Sequence, residues 1–341
     1  MKWMKSLLFL SLLWIILAGC SGKPRSWWTE PVIAVMADST EWEPMQSVMN
    51  QTFEQVVRTP QSETTYLVRQ VPNAQFNHYS TFQYLLVAAT LNSHGPVGKM
   101  IQNVMADSSV QARVRSGEFI IFSQRDLWAK DQLVVILLAK DVYALRDKIE
   151  SNSQYVYALF ENDFVARIDK DLKGRENKEL EPYLMSSFGW SMKLHKDYFM
   201  AQEDAAGNAV WFRRLYPERW ILVRWIEDAD TSYLNADWVL QERARLGQQY
   251  YGGDRVVDKY LFSHEGQFLG RTAQITQGLW ENDSKVAGGP FKNFTFYDDV
   301  SKRIYMIDLA LHAPNREKLP LLKRQEQVAK TFYTIFDKKK E

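Results

Sequence analysis

Leu133-Val-Val-Ile-Leu-Leu-Ala139 places seven apolar residues in a row. The run is too short for an ordinary helix and lacks the alternation of a half-exposed strand, so with Gln132 it reads as a strand, 132–139, buried on both faces. Such a strand needs covers above and below. Working upstream, strands are predicted at 32–36, 65–71, 82–91 and 118–123. Helices are predicted at 43–57, where Met45, Met49, Phe53 and Val56 recur at helical spacing, and at 96–106. Downstream, a helix over 141–160 closes this half.

A polar stretch, 169–178, holds only Leu172 as a large apolar residue and marks the expected boundary. Beyond it, strands are predicted at 191–202, 209–215, 220–225, 271–280, 292–297 and 303–311, with helices at 233–249 and 318–336. Ile221, Val223 and Trp225 alternate with Leu222, Arg224 and Ile226, the period of a strand between two covers. Asp298-Asp299-Val300-Ser301 is the clearest hairpin turn. The last helix carries Leu321, Leu322, Gln325, Val328, Ala329, Phe332 and Phe336 along one stripe. Each half can be written as strand, strand, helix, strand, strand, helix, with extra strands at the front. The expected class is α+β: two similar halves, each a mainly antiparallel sheet packed with helices in an α/β/α sandwich.

The N-terminus reads as an address. Lys2 and Lys5 precede an apolar run from Leu7 to Ala18, about a dozen residues where a spanning helix needs roughly 20. Leu17-Ala18-Gly19-Cys20 then resembles a bacterial lipobox, and Cys20 is the only cysteine of 341 residues. The pattern implies a diacylglycerol on the Cys20 thiol, an acylated amino group such as palmitate would supply, and membrane attachment without a spanning helix. The expected organisation is a signal peptide at 1–19, a lipidated tether at 20–30, domains at 31–168 and 179–341, and the linker between them. Ser21 occupies the place where an aspartate retains some lipoproteins in the inner membrane, so the outer membrane is favoured. With the leader gone, 40 basic side chains face 41 acidic ones, a net charge of −1. That balance argues against nucleic acid as a partner. No second cysteine remains for a disulfide.

Catalytic signatures are missing from the pattern. His78, His94, His195, His264 and His312 show no metal-ligand spacing, and no G-x-S-x-G occurs. Asp169 and Asp171 start a stretch like a calcium loop, but Lys173 and Leu180 stand where oxygen ligands belong. No cofactor is expected. Trp211, Arg213, Arg214, Trp220 and Trp225 form an aromatic and basic segment that could grip a glycan or an acidic partner, or lie under helices in a packed sheet. Glu281, Asp283, Asp298 and Asp299 are the carboxylates an envelope hydrolase would draw on. Trp27 and Trp28 are expected to pack on the domain. The expected function is a non-enzymatic binding or docking module facing the periplasm, whose partners are the membrane through its anchor and an envelope protein or glycan; a structural or assembly lipoprotein is the other non-catalytic possibility.

Pro31-Val-Ile-Ala-Val-Met36, Thr59-Pro60-Gln61-Ser-Glu63, Trp280 before Gly288-Gly289-Pro290-Phe291, and Ala313-Pro314 ahead of a helix ending in Thr331-Phe332 together resemble the DUF4837 lipoproteins, a family of unknown function. The resemblance spans most of the chain after the leader and implies no activity and no catalytic residues. The C-terminal half is also similar in pattern to the PsbP/Mog1-type α/β/α sandwich, an analogy of fold alone.

Overall fold

The structure, a computed structural model, describes residues 22–28, 31–58, 62–101 and 106–337. The leader, Cys20, Thr59-Pro60-Gln61 and the lysine tail lie outside them. Among the described residues no helix is long and apolar enough to cross a membrane. The chain divides into two compact units: the residues up to Thr52 with Leu67–Val156, and Phe53–Tyr66 with the residues from Tyr157 on.

In the N-terminal unit, β1 (Val32–Met36) leads into helix α1 (Ser39–Phe53). The chain next forms a hairpin, β2 (Val56–Arg58) with β3 (Ser62–Thr64), that belongs to the other unit. It returns as β4 (Leu67–Gln70), helix α2 (Phe76–Tyr79), β5 (Tyr84–Thr90), helices α3 (Pro96–Met100) and α4 (Ser108–Arg115), and strands β6 (Ile120–Arg125) and β7 (Leu133–Ala139). The sheet order is β4-β1-β5-β7-β6. Every pairing is parallel except β6 with β7. Every residue of β5 and of β7 is buried. Helix α5 (Val142–Ser151), capped by the Asp141 carboxylate on Ala144 N (2.8 Å), packs on both strands. Phe76, Val97, Ile101 and Val114 fill one face with Trp27 and Trp28 against them.

The prediction of two similar, mainly antiparallel halves therefore fails here. The reason lies in the sequence already quoted. Runs apolar on both faces suit strands covered by helices on each side, which is the environment of parallel pairs joined through crossovers. The α+β class itself stands, with sheets packed against helices in both units.

Helix α6 (Ser153–Gly174) carries the chain into the second unit. Its last turns occupy the first part of the expected linker, and Leu172 is buried in the C-terminal core. A stretch rich in charge is thus the solvated face of a helix. Helix α7 (Leu180–Phe188) follows and stops at Gly189, whose left-handed φ of 75° lets its N–H reach the Met185 carbonyl. Strands β8 (Trp190–Ser191), β9 (Phe199–Asp204), β10 (Ala209–Arg214) and β11 (Glu218–Ile226) come next, then helix α8 (Ala236–Gln249). Strands β12 (Arg255–Phe268), β13 (Arg271–Asn282), β14 (Ala287–Asp298) and β15 (Arg303–His312) precede helix α9 (Leu319–Ala329) and β16 (Tyr333–Thr334).

Seven of these strands form one antiparallel sheet, β12-β13-β14-β15-β11-β10-β9. Alternation sorts its side chains. Ile221, Val223 and Trp225 join the core under α7 and α9, and Trp220 and Leu222 join the core under α8. The Asp298 turn is as expected: its carboxylate accepts from Ser301 N (3.1 Å) and Ser301 Oγ (2.5 Å). Strand β12, polar and largely exposed along an edge, has no apolar pattern to announce it. The last helix ends at Ala329, so Phe332 is buried from the segment beyond it while Phe336 is 40% exposed.

Candidate functional site

Strand order reverses between β1 and β5: the chain passes from β1 to β4 on one side, and then to β5 on the other. At such a point the crossovers leave in opposite directions, opening a crevice at the carboxyl ends of the strands. Here β1 ends at Met36 and runs through Ala37 and Asp38 into α1; β5 ends at Thr90 and runs through Leu91–Gly95 into α3.

The residues at these two ends form a buried polar frame. Glu41, 2% exposed, accepts hydrogen bonds from Ser93 Oγ (2.5 Å) and Thr90 Oγ1 (3.1 Å) on one carboxylate oxygen and from Thr40 Oγ1 (2.6 Å) on the other. Ser93 Oγ in turn accepts from Thr90 N at 2.8 Å. A carboxylate removed from water needs such partners. Asp38 accepts from Val97 N (3.2 Å) and Gly98 N (3.3 Å), while its carbonyl takes the first N–H groups of α1. Two glycines make the approach possible. A Cβ on Gly95 would lie 2.4 Å from the Asp38 carboxyl, and one on Gly98 would lie 2.1 Å from the Ser93 carbonyl oxygen.

Beside this frame lies a cavity of about 530 Å³, within the usual range for small-ligand sites. Ser93 and Gly98 face it from the frame, and His94, Lys99, Gln111 and Arg115 complete most of its wall. Gln111 and Arg115 sit one turn apart on α4 and are joined by a bond from Arg115 Nη2 to Gln111 Oε1 (2.9 Å). The α4 helix is held at its start by Asp107, whose carboxylate receives Ser109 N and Val110 N and is kept below the usual carboxylate range by its bonds to Ser109. The Ser93 hydroxyl is committed to Glu41 and to Thr90 N. Among the described residues no group of acids, histidines or cysteines is arranged to hold a metal.

The residues singled out in the sequence lie elsewhere. Cys20, with Leu17, Ala18 and Gly19, is outside the described residues. The aromatic and basic segment does not form one face. Trp211, Arg213 and Trp220 point to the α8 side of the sheet, and Arg214 and Trp225 to the other. Trp220 and Trp225 are core residues, Arg213 pairs with Glu218, and Arg214 pairs with Asp197 at 2.9 Å. Strand alternation splits what proximity in sequence suggested was together. The carboxylates also fail to converge. Glu281 and Asp283 share Arg255 at one end of the β13–β14 pair, and Asp298 binds Arg271 (2.9 Å) at the other, about 33 Å of extended chain away. Gly289 lies at a close approach, where a Cβ would meet the Leu311 carbonyl oxygen at 1.9 Å. Trp27 packs edge-on against Phe82, and Trp28 against Tyr84.

Sequence reasoning passed over Asp38, Glu41, Thr90, Ser93, Lys99 and Arg115, and weighed His94 only as a metal ligand. The signal was available: two seamless apolar strands, one followed by Asp38-Ser39-Thr40 and the other by Asn92-Ser93-His94-Gly95, mark the carboxyl ends of parallel strands.

One unit built on a mainly parallel sheet and one on an antiparallel sheet define a two-domain α+β protein. Residues 177–331 match the model of a domain of unknown function, DUF4837, and residues 30–173 match that of another, DUF8532. The DUF4837 resemblance is thus confined to the C-terminal part, while Pro31–Met36 and Thr59–Glu63 fall in the other domain. No curated protein matches the sequence. Solved structures similar to part of the chain include the Ran-binding protein Mog1p of Saccharomyces cerevisiae, with 8% identity covering 43% of this chain and 90% of that one at a TM-score of 0.30. LpqN of Mycobacterium tuberculosis, described as involved in cell envelope biogenesis, shows 11% identity covering 42% and 81% at 0.26. A Bacteroides thetaiotaomicron protein shows 6% identity, covering 43% of this chain and 45% of its own, at 0.28. Likeness at these scores carries no argument about function.

Proposed function

We propose that this chain is a lipid-anchored protein of the bacterial cell envelope, outer membrane favoured, that binds a ligand in the crevice of its N-terminal unit and performs no chemistry on it. The observation that carries the anchoring is the single cysteine, Cys20, directly after Leu17-Ala18-Gly19 and an apolar run too short to span a bilayer. The binding role is supported by a cavity at the switch point of a mainly parallel sheet whose frame is already fully hydrogen-bonded. A frame of that kind holds shape and offers no free nucleophile.

Metabolic labelling with a fatty acid tests the anchor. The wild-type chain incorporates label and fractionates with membranes; Cys20→Ser does neither. Equal labelling of the two would refute the anchor. Exposure of the labelled protein to a panel of envelope extracts, followed by native mass spectrometry, tests binding without turnover, and a changed ligand mass after release would refute the non-enzymatic reading.

A further inference from the structure

The geometry points to an anionic ligand, one bearing a phosphate or carboxylate group, gripped in the N-terminal crevice by Lys99 and Arg115 with His94 beside them. This rests on the crevice being the ligand site. Besides Ser93, the polar side chains lining the cavity are His94, Lys99, Gln111 and Arg115, all donors or potential donors. The two nearby acids, Asp38 and Glu41, are turned into the frame and are not among the lining residues. Two backbone N–H groups and three hydroxyls occupy their oxygens, and Asp107, beside Ala106 at the start of α4, is bonded to Ser109 and to Val110 N; among the described residues none of the three acids forms an ion pair with Lys99, Arg115 or His94.

Neither Lys99 nor His94 has an ion-pair partner among the described residues, and Arg115 has only the neutral Gln111. Some basic side chains of the same unit are paired, as Arg113 is with Glu118 and Arg146 with Asp147, and others, such as Arg69 and Lys148, stand exposed without an ion pair among the described residues; what sets Lys99 and Arg115 apart is their shared place on a cavity wall. Unpaired cations around a concave, prebuilt site attract anions, and a guanidinium and an ammonium together suit a two- or three-oxygen group. The formal charge of the remaining chain is near zero, so this is a local field and not a general basic surface.

The test uses the full chain in a non-ionic detergent at constant ionic strength, titrated calorimetrically with inorganic pyrophosphate and with citrate. At least one binds saturably, and Lys99→Ala and Arg115→Ala each weaken it about tenfold, whereas Lys148→Ala, an exposed cation on α5, does not. Competition by micelles doped with phosphatidylglycerol would identify the source of the group as a lipid headgroup, and its absence a soluble anion; both carry the same chemistry. Absence of saturable binding, or binding indifferent to Lys99 and Arg115, overturns the anionic class. A neutral fragment set, screened against wild type and against Ala106→Trp, which fills the cavity from its exposed rim, separates the two failures. Neutral binders lost in Ala106→Trp would keep the crevice as a site and overturn only the charge; no binder of any kind sensitive to that substitution would overturn the site with it.

Discussion

In the N-terminal unit, buried Glu41 and Asp38 sit at the ends of parallel strands, bound to hydroxyls and backbone N–H groups, beside an open crevice. In the C-terminal unit, Arg243 and Asp308 are wholly buried between the sheet and α8, paired at 2.9 Å. Asn293 and Tyr251 both donate to Asp308 at 3.1 Å, and the guanidinium lies over the rings of Phe291 and Tyr251. Burial pushes Asp308 upward and Arg243 pulls it back. Both clusters sit in apolar surroundings. The first ends at a cavity because crossovers diverge there; the second is sealed because every strand around it is hydrogen-bonded to neighbours and covered by a helix. A buried charge becomes part of a site only where the backbone leaves room for something else.

The largest expected effect comes from breaking the sealed pair. Asp308→Ala removes the carboxylate paired with the buried guanidinium and costs about 3–5 kcal/mol, whereas the double variant Arg243→Met, Asp308→Leu recovers most of that loss. Urea titration measures both, and equal losses would mean the pair supports more than itself. Next is Phe332, which contacts Trp190, Phe296 and Tyr305: Phe332→Ala should cost about 3 kcal/mol, and the exposed Phe336→Ala under about 0.5. Calorimetry of the two variants checks this.

In the N-terminal unit Gly98→Ala should cost about 1–3 kcal/mol, because the new methyl meets backbone. It should also abolish whatever binds the crevice; intact binding at reduced stability would uncouple frame from site. The smallest effect is a pH dependence. Burial raises the Asp254 carboxyl above its ordinary 3.8, against the pull of Asn282, Arg243 and Lys285. The folded state therefore holds its proton more tightly than the unfolded state, and stability falls as pH rises from about 4 through the raised value. Asp254→Asn removes that slope, so the variant should gain on wild type toward neutral pH and match it in acid; parallel urea midpoints at pH 4 and 7 would contradict this.

Element positions were legible along the chain. β7 starts within one residue of the strand predicted at 132–139, and the alternation of Ile221, Val223 and Trp225 sorts the faces of β11 correctly. A polar edge strand such as β12 was not, since half-exposed pairing leaves no hydrophobic signature. The lipobox-like pattern at Leu17–Cys20, on which the proposed anchor rests, is likewise local and needs no fold to be read.

Strand direction, and everything that depends on it, belongs to the tertiary structure. The same apolar runs could pair either way until crossovers bring β1 beside β5, and only then do Glu41 and Ser93 meet across 52 positions of sequence. Proximity along the chain misled in the opposite sense for Trp211 to Trp225, where the period of a strand sends neighbours to opposite faces. Short-range periodicity is set by backbone geometry and burial at each residue. A site needs side chains whose convergence is decided by topology, which no local window contains.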